Sequence, residues 1–418
     1  MQKRPPPFAA ATQPPQPANV LTTELAATAN MPTWLMLLLA TACGLIVANL
    51  YYAQPVIGLI STALGLSPAA AGLIVTLTQI GYGAGLLLLV PLGDLLENRR
   101  LVLVLLVLET AALAASSLVT QPLAFLALSL LIGFTAVSVQ VLVPYASHMA
   151  SEAERGRVVG NVMSGLMLGI MLARPLSSFL THLWSWHVVY GLSALLMALL
   201  TLVLRLVLPT RHPAARIPYR ELLGSLAPII AEFPILRRRA LYQAGMFGAF
   251  SLFWTAVPLW LASPTFGLSQ KGIGLFALAG VAGAVATPIA GRVADRGWSG
   301  PASVVCMVLA ALAFALTHIA PPGSSLALGL LVTAAVLLDF GVSGNLVLGQ
   351  RAVFGLGAEL RSRVNGLYMA IFFVGGAAGS ALAAWSYARW GWGPTSLLGM
   401  SLPMAALVYF ATESHAPA

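Results

Sequence analysis

Charge is what this sequence has least of. Only 8% of its 418 residues are Asp, Glu, Lys or Arg, against about 25% in an ordinary soluble domain. A water-facing surface for a chain of this length cannot be covered with so few. Cysteine is nearly absent as well: Cys43 and Cys306 are the two, each inside an apolar segment, where a lone thiol most often fills space. Neither a disulfide framework nor a metal site follows from them. The six histidines (His148, His182, His187, His212, His318 and His415) show no metal-ligand spacing such as HExxH. No loop ends in Gly-Lys-Ser or Gly-Lys-Thr, which disfavours nucleotide-driven work. These absences argue against an enzyme and imply no cofactor.

Apolar residues fill the space left. They make up 59% of the chain, and the mean hydropathy is +0.90. A helix crossing a bilayer needs about 20 mostly apolar residues. Runs of that kind fall near 33–56, 69–92, 101–120, 122–147, 158–181 and 187–208. After a polar interval they resume near 240–262, 272–294, 301–320, 325–348, 364–386 and 393–411. The expected fold is an all-α membrane protein of twelve transmembrane helices, numbered here as spans one to twelve, in two six-helix halves (32–208 and 240–411). The Pro-rich leader 1–31 reads as a disordered cytoplasmic tail without a secretory signal, Met31 being an alternative start. Residues 209–239 read as a cytoplasmic linker with a short amphipathic helix over 219–233, lying on the headgroups. Residues 412–418 form a short tail.

The net charge of +9 could suggest nucleic acid, but its placement argues otherwise. Lys and Arg sit in short loops on one side of the spans, Lys271 and Arg389 alone falling on the other and Arg174 inside span five. That bias puts both termini in the cytoplasm. An internal repeat then ties the halves together. ERGRVVGNVM (154–163) matches ELRSRVNGLYM (359–369), setting Arg155 and Arg157 against Arg361 and Arg363. GDLLENRR (93–100) matches GRVADRG (291–297), setting Asp94 against Asp295, and Pro55 matches Pro258. Parallel six-helix repeats are a known transporter plan, with the substrate site between them near the bilayer midplane.

On these residues the chain resembles the major facilitator superfamily from residue 33 onward. The family's loop after span two reads Gly, three residues, Asp, Arg, one residue, Gly; Gly291, Asp295, Arg296 and Gly297 match it. The first copy keeps Asp94, Arg99 and Arg100 but has Leu95 in place of the Arg. The tract Ala48-Asn-Leu-Tyr-Tyr-Ala-Gln-Pro55 is similar to the acriflavine-sensitivity-type, drug–proton antiporter-like permeases of bacteria. The resemblance implies a monomeric secondary transporter in a bacterial inner membrane, working on a small-molecule substrate by alternating access. It favours proton-coupled efflux of small amphipathic or drug-like solutes; the alternative is proton-coupled uptake of a small organic anion. Asp94, Arg99, Arg100, Asp295 and Arg296 are then expected at a cytoplasmic gate. A carboxylate at the start of a helix gains about 0.3–1 kcal/mol, so Asp94 is expected near Arg363 at the start of span eleven. Asp295 is expected near Val158 at the start of span five. Static capping is the competing role.

Ionisable residues inside spans are costly against lipid and are functional candidates. Glu109 lies in span three, Arg174 in span five and Asp339 in span ten. Asp339 sits among Gly341, Ser343, Gly344 and Asn345, and its repeat mate is Gly133, so it is no requirement common to both halves. Burial disfavours the charged form of a carboxyl group, which suits a proton carrier. Proton coupling is assigned to Asp339, with substrate binding or a structural ion pair as competing roles, and to Glu109 on peripheral span three, where a structural pair or a wet groove competes. Arg174 precedes Pro175, where the family's antiporter motif usually has Gly-Pro, and Gly165 and Gly169 supply its small-residue spacing. It could hold an anionic group, pair with Asp339, or snorkel toward the outer face. Ser129 stands where the family's antiporters usually carry an Arg, so their coupling chemistry does not transfer unchanged. Asn49, Tyr52, Gln54, Gln79, Tyr82, Gln140, Trp254, Thr255, Asn345 and Tyr368 complete the expected substrate cavity, with interhelix hydrogen bonding as the competing role. Pro55 also frees a backbone carbonyl that needs a partner.

Overall fold

The computed structural model describes residues 31–152, 154–213, 218–357 and 360–413. The leader up to residue 30, Arg216 in the linker and the tail beyond 413 lie outside the described residues. Every regular element among those described is a helix, and ten helices are long and apolar enough to cross a membrane. They are span two (Pro68–Asp94), span four (Pro122–Met149), span five (Arg155–Leu183), span six (Trp186–Val207), span seven (Pro234–Ala262) and span eight (Gln270–Asp295). Spans nine to twelve are Ser299–Leu316, Ser325–Phe354, Arg361–Trp390 and Trp392–Ala411.

The two remaining spans fall short for visible reasons. Span one is broken, with an α-helix over Thr33–Ala48, a tight turn at Gln54–Val56 and a short helix over Ile57–Ala63. Span three (Asn98–Ser116) carries Arg99, Arg100 and Glu109 within 19 residues, which lowers its apolar character. Span seven begins at Pro234, where a missing N–H costs a helix nothing. Arg237, Arg238 and Arg239 therefore stand in its first turns rather than in the linker.

Glycines set the closest helix contacts. Side chains at Gly165 and Gly169 of span five would overlap the backbone of Ala40 and Gly44 in span one. Side chains at Gly375 and Gly379 of span eleven would do the same to Ala244 and Gly248 in span seven. Small residues let backbones approach in this way. The sequence repeat thus reappears as one packing device used twice.

One face of the molecule bears both described chain ends and the linker; it is called the terminal face, and its opposite the far face. The two halves meet tightly toward the far face. Thr76 Oγ1 lies 2.9 Å from Ser380 Oγ, and Gln270 Nε2 donates to the Pro55 carbonyl and to Ser178 Oγ, both at 2.8 Å. At the terminal face, spans two and eleven stay together beneath the linker. The expected linker helix is two short ones, Tyr219–Gly224 and Leu226–Glu232. Leu222 and Leu226 close over Leu86, Leu87 and Leu367, while Ile229 packs with Leu236 and Val364. Their apolar side is thus turned to protein, not to headgroups. Spans five and eight differ: nothing stands against Gly156 or Gly160 in the first turns of span five. Asp295 pairs with Arg351 of its own half, and among the described residues it makes no hydrogen bond or ion pair to the start of span five.

Candidate functional site

The break in span one builds the site. Proline lacks an N–H, and its ring crowds the carbonyl four residues earlier; span one gives way before Pro55, whereas its repeat mate Pro258 is carried inside the helix of span seven. Upstream the backbone tightens: Leu50 N donates to the Val47 carbonyl at 3.1 Å, Tyr51 N to Ala48 at 3.0 Å and Gln54 N to Tyr51 at 3.3 Å. Carbonyls left over find partners on other spans. Ser177 Oγ donates to the Tyr52 carbonyl at 2.7 Å, and Gln270 takes that of Pro55. Irregular backbone at membrane depth is tolerated where protein buries it. Asn49, Tyr51, Tyr52 and Gln54 are all buried there.

Four spans bring a buried ion pair together beside this break. Arg174 Nε donates to Gln54 Oε1 at 2.7 Å, and Arg174 Nη1 lies 3.8 Å from Asp339 Oδ2. Trp254 Nε1 donates to Asp339 Oδ1 at 2.7 Å. Gln54 and Arg174 come from the first half, Trp254 and Asp339 from the second. The guanidinium carbon is 4.3, 4.8 and 5.2 Å from the ring centres of Trp254, Phe250 and Tyr51, within cation–π range. Arg174 is 1% exposed and Asp339 3%, so the arginine does not snorkel. Gly280 of span eight leaves the room, since a Cβ there would come within 3.0 Å of Asp339 Oδ2 and 3.1 Å of Arg174 Nη1. Charge-assisted hydrogen bonds run at about 2.7–2.9 Å, so the 3.8 Å contact is a loose one. Gln54 Nε2 and Arg174 Nη2 have no hydrogen-bond partner among the described residues.

Glu109 belongs to a different cluster. Asn49 Nδ2 donates to Glu109 Oε1 at 2.8 Å, and Ser193 Oγ donates to Asn49 Oδ1 at 2.5 Å, linking spans one, three and six inside the first half. Glu109 is fully buried, its Oε2 has no partner, and it makes no ion pair among the described residues. Gln79 crosses between halves, donating to Ser251 Oγ at 2.9 Å. Gln140 donates to the Tyr82 hydroxyl at 3.0 Å, and the Tyr82 ring lies 4.4 Å from that of Phe373. Thr255 Oγ1 is buried without a hydrogen-bond partner among the described residues. Asn345 donates to Gln243 Oε1 at 2.7 Å within the second half. Tyr368 packs with Ile229 and Leu236 under the linker, apart from the ion pair.

The expected gate residues divide as well. Asp94 lines a small gap with Ser362 and Arg363 at the start of span eleven. Glu97 caps span three, accepting from Arg99 N and Arg100 N at 2.9 Å each, and Arg211 N reaches the same carboxylate at 3.3 Å. Arg99 also donates to the Arg205 carbonyl, so this loop is tied to the end of span six and the linker. Arg296 is exposed at the end of span eight. Sequence reasoning missed Ser177, Gln243, Ser251, Gln270 and Gly280. A lone Ser or Gly in an apolar run carries no signal, whereas Gln243 in mid-span and Gln270 at a span start were polar enough to notice.

Comparisons with known proteins agree with this architecture. The family described as Major Facilitator Superfamily matches residues 36–338 and 243–418. The putative uncharacterized transporter YgaY of Escherichia coli is 38% identical over 382 residues, covering 91% of this chain and 96% of its own. The probable transporter SCO4007 of Streptomyces coelicolor is 32% identical over 357 residues, covering 85% and 82%. Among solved structures, a mutant form of the nucleoside transporter NupG aligns with a TM-score of 0.74 at 16% identity, covering 90% of this chain and 99% of that one. The human organic anion transporter MFSD10 aligns at 0.64 and 18% identity, covering 91% and 100%. At such identities the structural likeness speaks for the fold.

Proposed function

The chain belongs to the major facilitator superfamily, and we propose that it is a proton-coupled transporter of small amphipathic solutes with its coupling centre at Arg174 and Asp339. It is a multi-pass membrane transporter, not an enzyme. One observation carries the reading: a buried cation from one half faces a buried carboxylate from the other at 3.8 Å. A proton added to Asp339 removes the charge that draws Arg174 across the seam, and its loss restores that attraction. The pair lies about one helical turn from Ser177 and Ser178, where the halves are shut toward the far face. Its charge state therefore bears on which face opens. Tyr51, Phe250 and Trp254 offer an apolar wall for the body of a solute.

In this reading the terminal face is the cytoplasmic side of a bacterial inner membrane, the protein works as a monomer, and Asp94 and Asp295 serve as gates on that side. The drug–proton antiporter likeness of the span-one tract favours export, in which proton and solute occupy the site in turn. Uptake of an organic anion requires them together, with Arg174 as ligand. The test is proton movement in proteoliposomes on addition of lipophilic cations or organic acids, wild type against Asp339→Asn. Wild type is expected to move protons with one solute class, while the variant carries that solute without protons. Normal proton movement in the variant would make Asp339 structural and shift attention to Glu109 and Asp94.

A further inference from the structure

We infer that Arg174 and Gln54 form a binding site for the carboxylate of a small monoanionic solute with an apolar body, a site whose cation Asp339 faces when the solute is absent. The inference rests on the reading of Arg174 and Asp339 as the coupling centre and adds the class of solute and the order of binding.

The guanidinium offers a planar fork of donors that matches a carboxylate in bidentate fashion. Arg174 uses only Nε in a close hydrogen bond, to Gln54. Its Nη1 stands 3.8 Å from Asp339, and its Nη2 has no partner. The fork end is thus the unused end. Beside it, Gln54 is also fully buried and spends its oxygen on Arg174, leaving Nε2 without an acceptor. Buried donors are paired in the great majority of cases, and two on adjacent side chains at one seam call for an acceptor that both can reach.

The rest of the setting narrows that acceptor. The other buried arginine, Arg239, is near the terminal face and faces Glu413. Arg174 therefore has no second cation beside it, which suits one negative charge rather than two. Tyr51, Phe250 and Trp254 pack round the guanidinium, so the immediate surroundings of the fork are rings, which suit a solute with an apolar body. Gly280 keeps one side of the fork free of any side chain.

Asp339 then acts as an internal competitor. The charged or titratable groups facing it are Arg174 of span five and Tyr51 of span one, while Trp254 of span seven gives a neutral hydrogen bond. When Asp339 takes a proton, its hold on Arg174 is lost and the fork is released to the solute. Proton and carboxylate therefore bind in the same state. That order belongs to the uptake reading given above, with proton and anion together, and the site geometry thus favours it over the export that the span-one tract suggests.

The full-length protein in nanodiscs is titrated calorimetrically with benzoate and hexanoate, and with the matched amides and amines, at pH 5.5 and 7.5. Wild type is expected to bind the carboxylates in preference, at least tenfold tighter at pH 5.5. Asp339→Asn should bind them as tightly at both pH values as wild type does at pH 5.5. Arg174→Gln should lose them. The double variant Arg174→Gln/Asp339→Asn leaves no lone buried charge from the pair and should fold yet also fail to bind. Preference for amines or amides, absence of carboxylate binding, or loss of that binding in Asp339→Asn overturns the inference. If amines move with protons and Asp339→Asn stops it, the coupling reading stands and the carboxylate site falls. If Asp339→Asn binds carboxylates as described but still moves protons normally, the site stands and the coupling reading falls.

Discussion

Two carboxyl groups lie buried in the apolar interior, and their neighbours separate them. Asp339 faces a cation from the opposite half, whereas Glu109 meets only the amide of Asn49, inside its own half. A group that changes charge between the halves can alter their attraction, and one enclosed within a single half has less purchase. Glu109→Gln keeps the oxygen that accepts from Asn49, so its cost in stability should stay below about 1 kcal/mol and proton movement should persist. Asn49→Ala leaves the carboxyl with no partner and should cost about 1–3 kcal/mol, seen as a lower melting temperature in detergent. Loss of proton movement in Glu109→Gln would return Glu109 to the coupling path. At this scale the sequence was legible wherever polarity interrupts an apolar run, which is why Arg174, Asp339 and the Asn49–Gln54 tract stood out. Gly280 and Ser177 did not, because their roles exist only relative to side chains from other spans.

Span one was expected as one continuous helix over 33–56, and the structure breaks it after Ala48. Pro55 announced a defect, but its extent depends on whether freed carbonyls find donors elsewhere. Ser177 and Gln270 are those donors, more than 120 residues along the chain, beyond the reach of any local pattern. Span five shows the same dependence. It carries four glycines in its first half, yet Gly165 and Gly169 press on span one while Gly156 and Gly160 face nothing. Gly169→Leu should therefore force spans one and five apart, at a cost of about 1–3 kcal/mol or more, with poor yield of folded protein. Gly160→Val should leave the melting temperature within a degree or two of wild type in this conformation. Equal losses at the two positions would contradict the packing described for span five.

The two-half plan was readable from repeats of charged loops, but the direction in which the molecule opens was not. That property rests on contacts such as Thr76 with Ser380, which bring together residues some 300 positions apart and involve side chains common in any span. The seam is shut near these residues, and spans two and eleven lie together beneath the linker, while the start of span five presents Gly156 and Gly160 to open space. A transporter working by alternating access must undo the far-face contacts once per cycle. A covalent bond at that point should therefore hold the molecule in the present state. Thr76→Cys/Ser380→Cys places two thiols where the hydroxyls are now 2.9 Å apart; the site is as buried as Cys43 and Cys306, so both native cysteines are replaced by Ser in the background. Mild oxidation should form an intramolecular disulfide in most molecules, abolish solute flux, and release it again on reduction. A disulfide that forms quantitatively while flux continues would mean that this seam does not open during transport, and the far-face route would have to lie elsewhere.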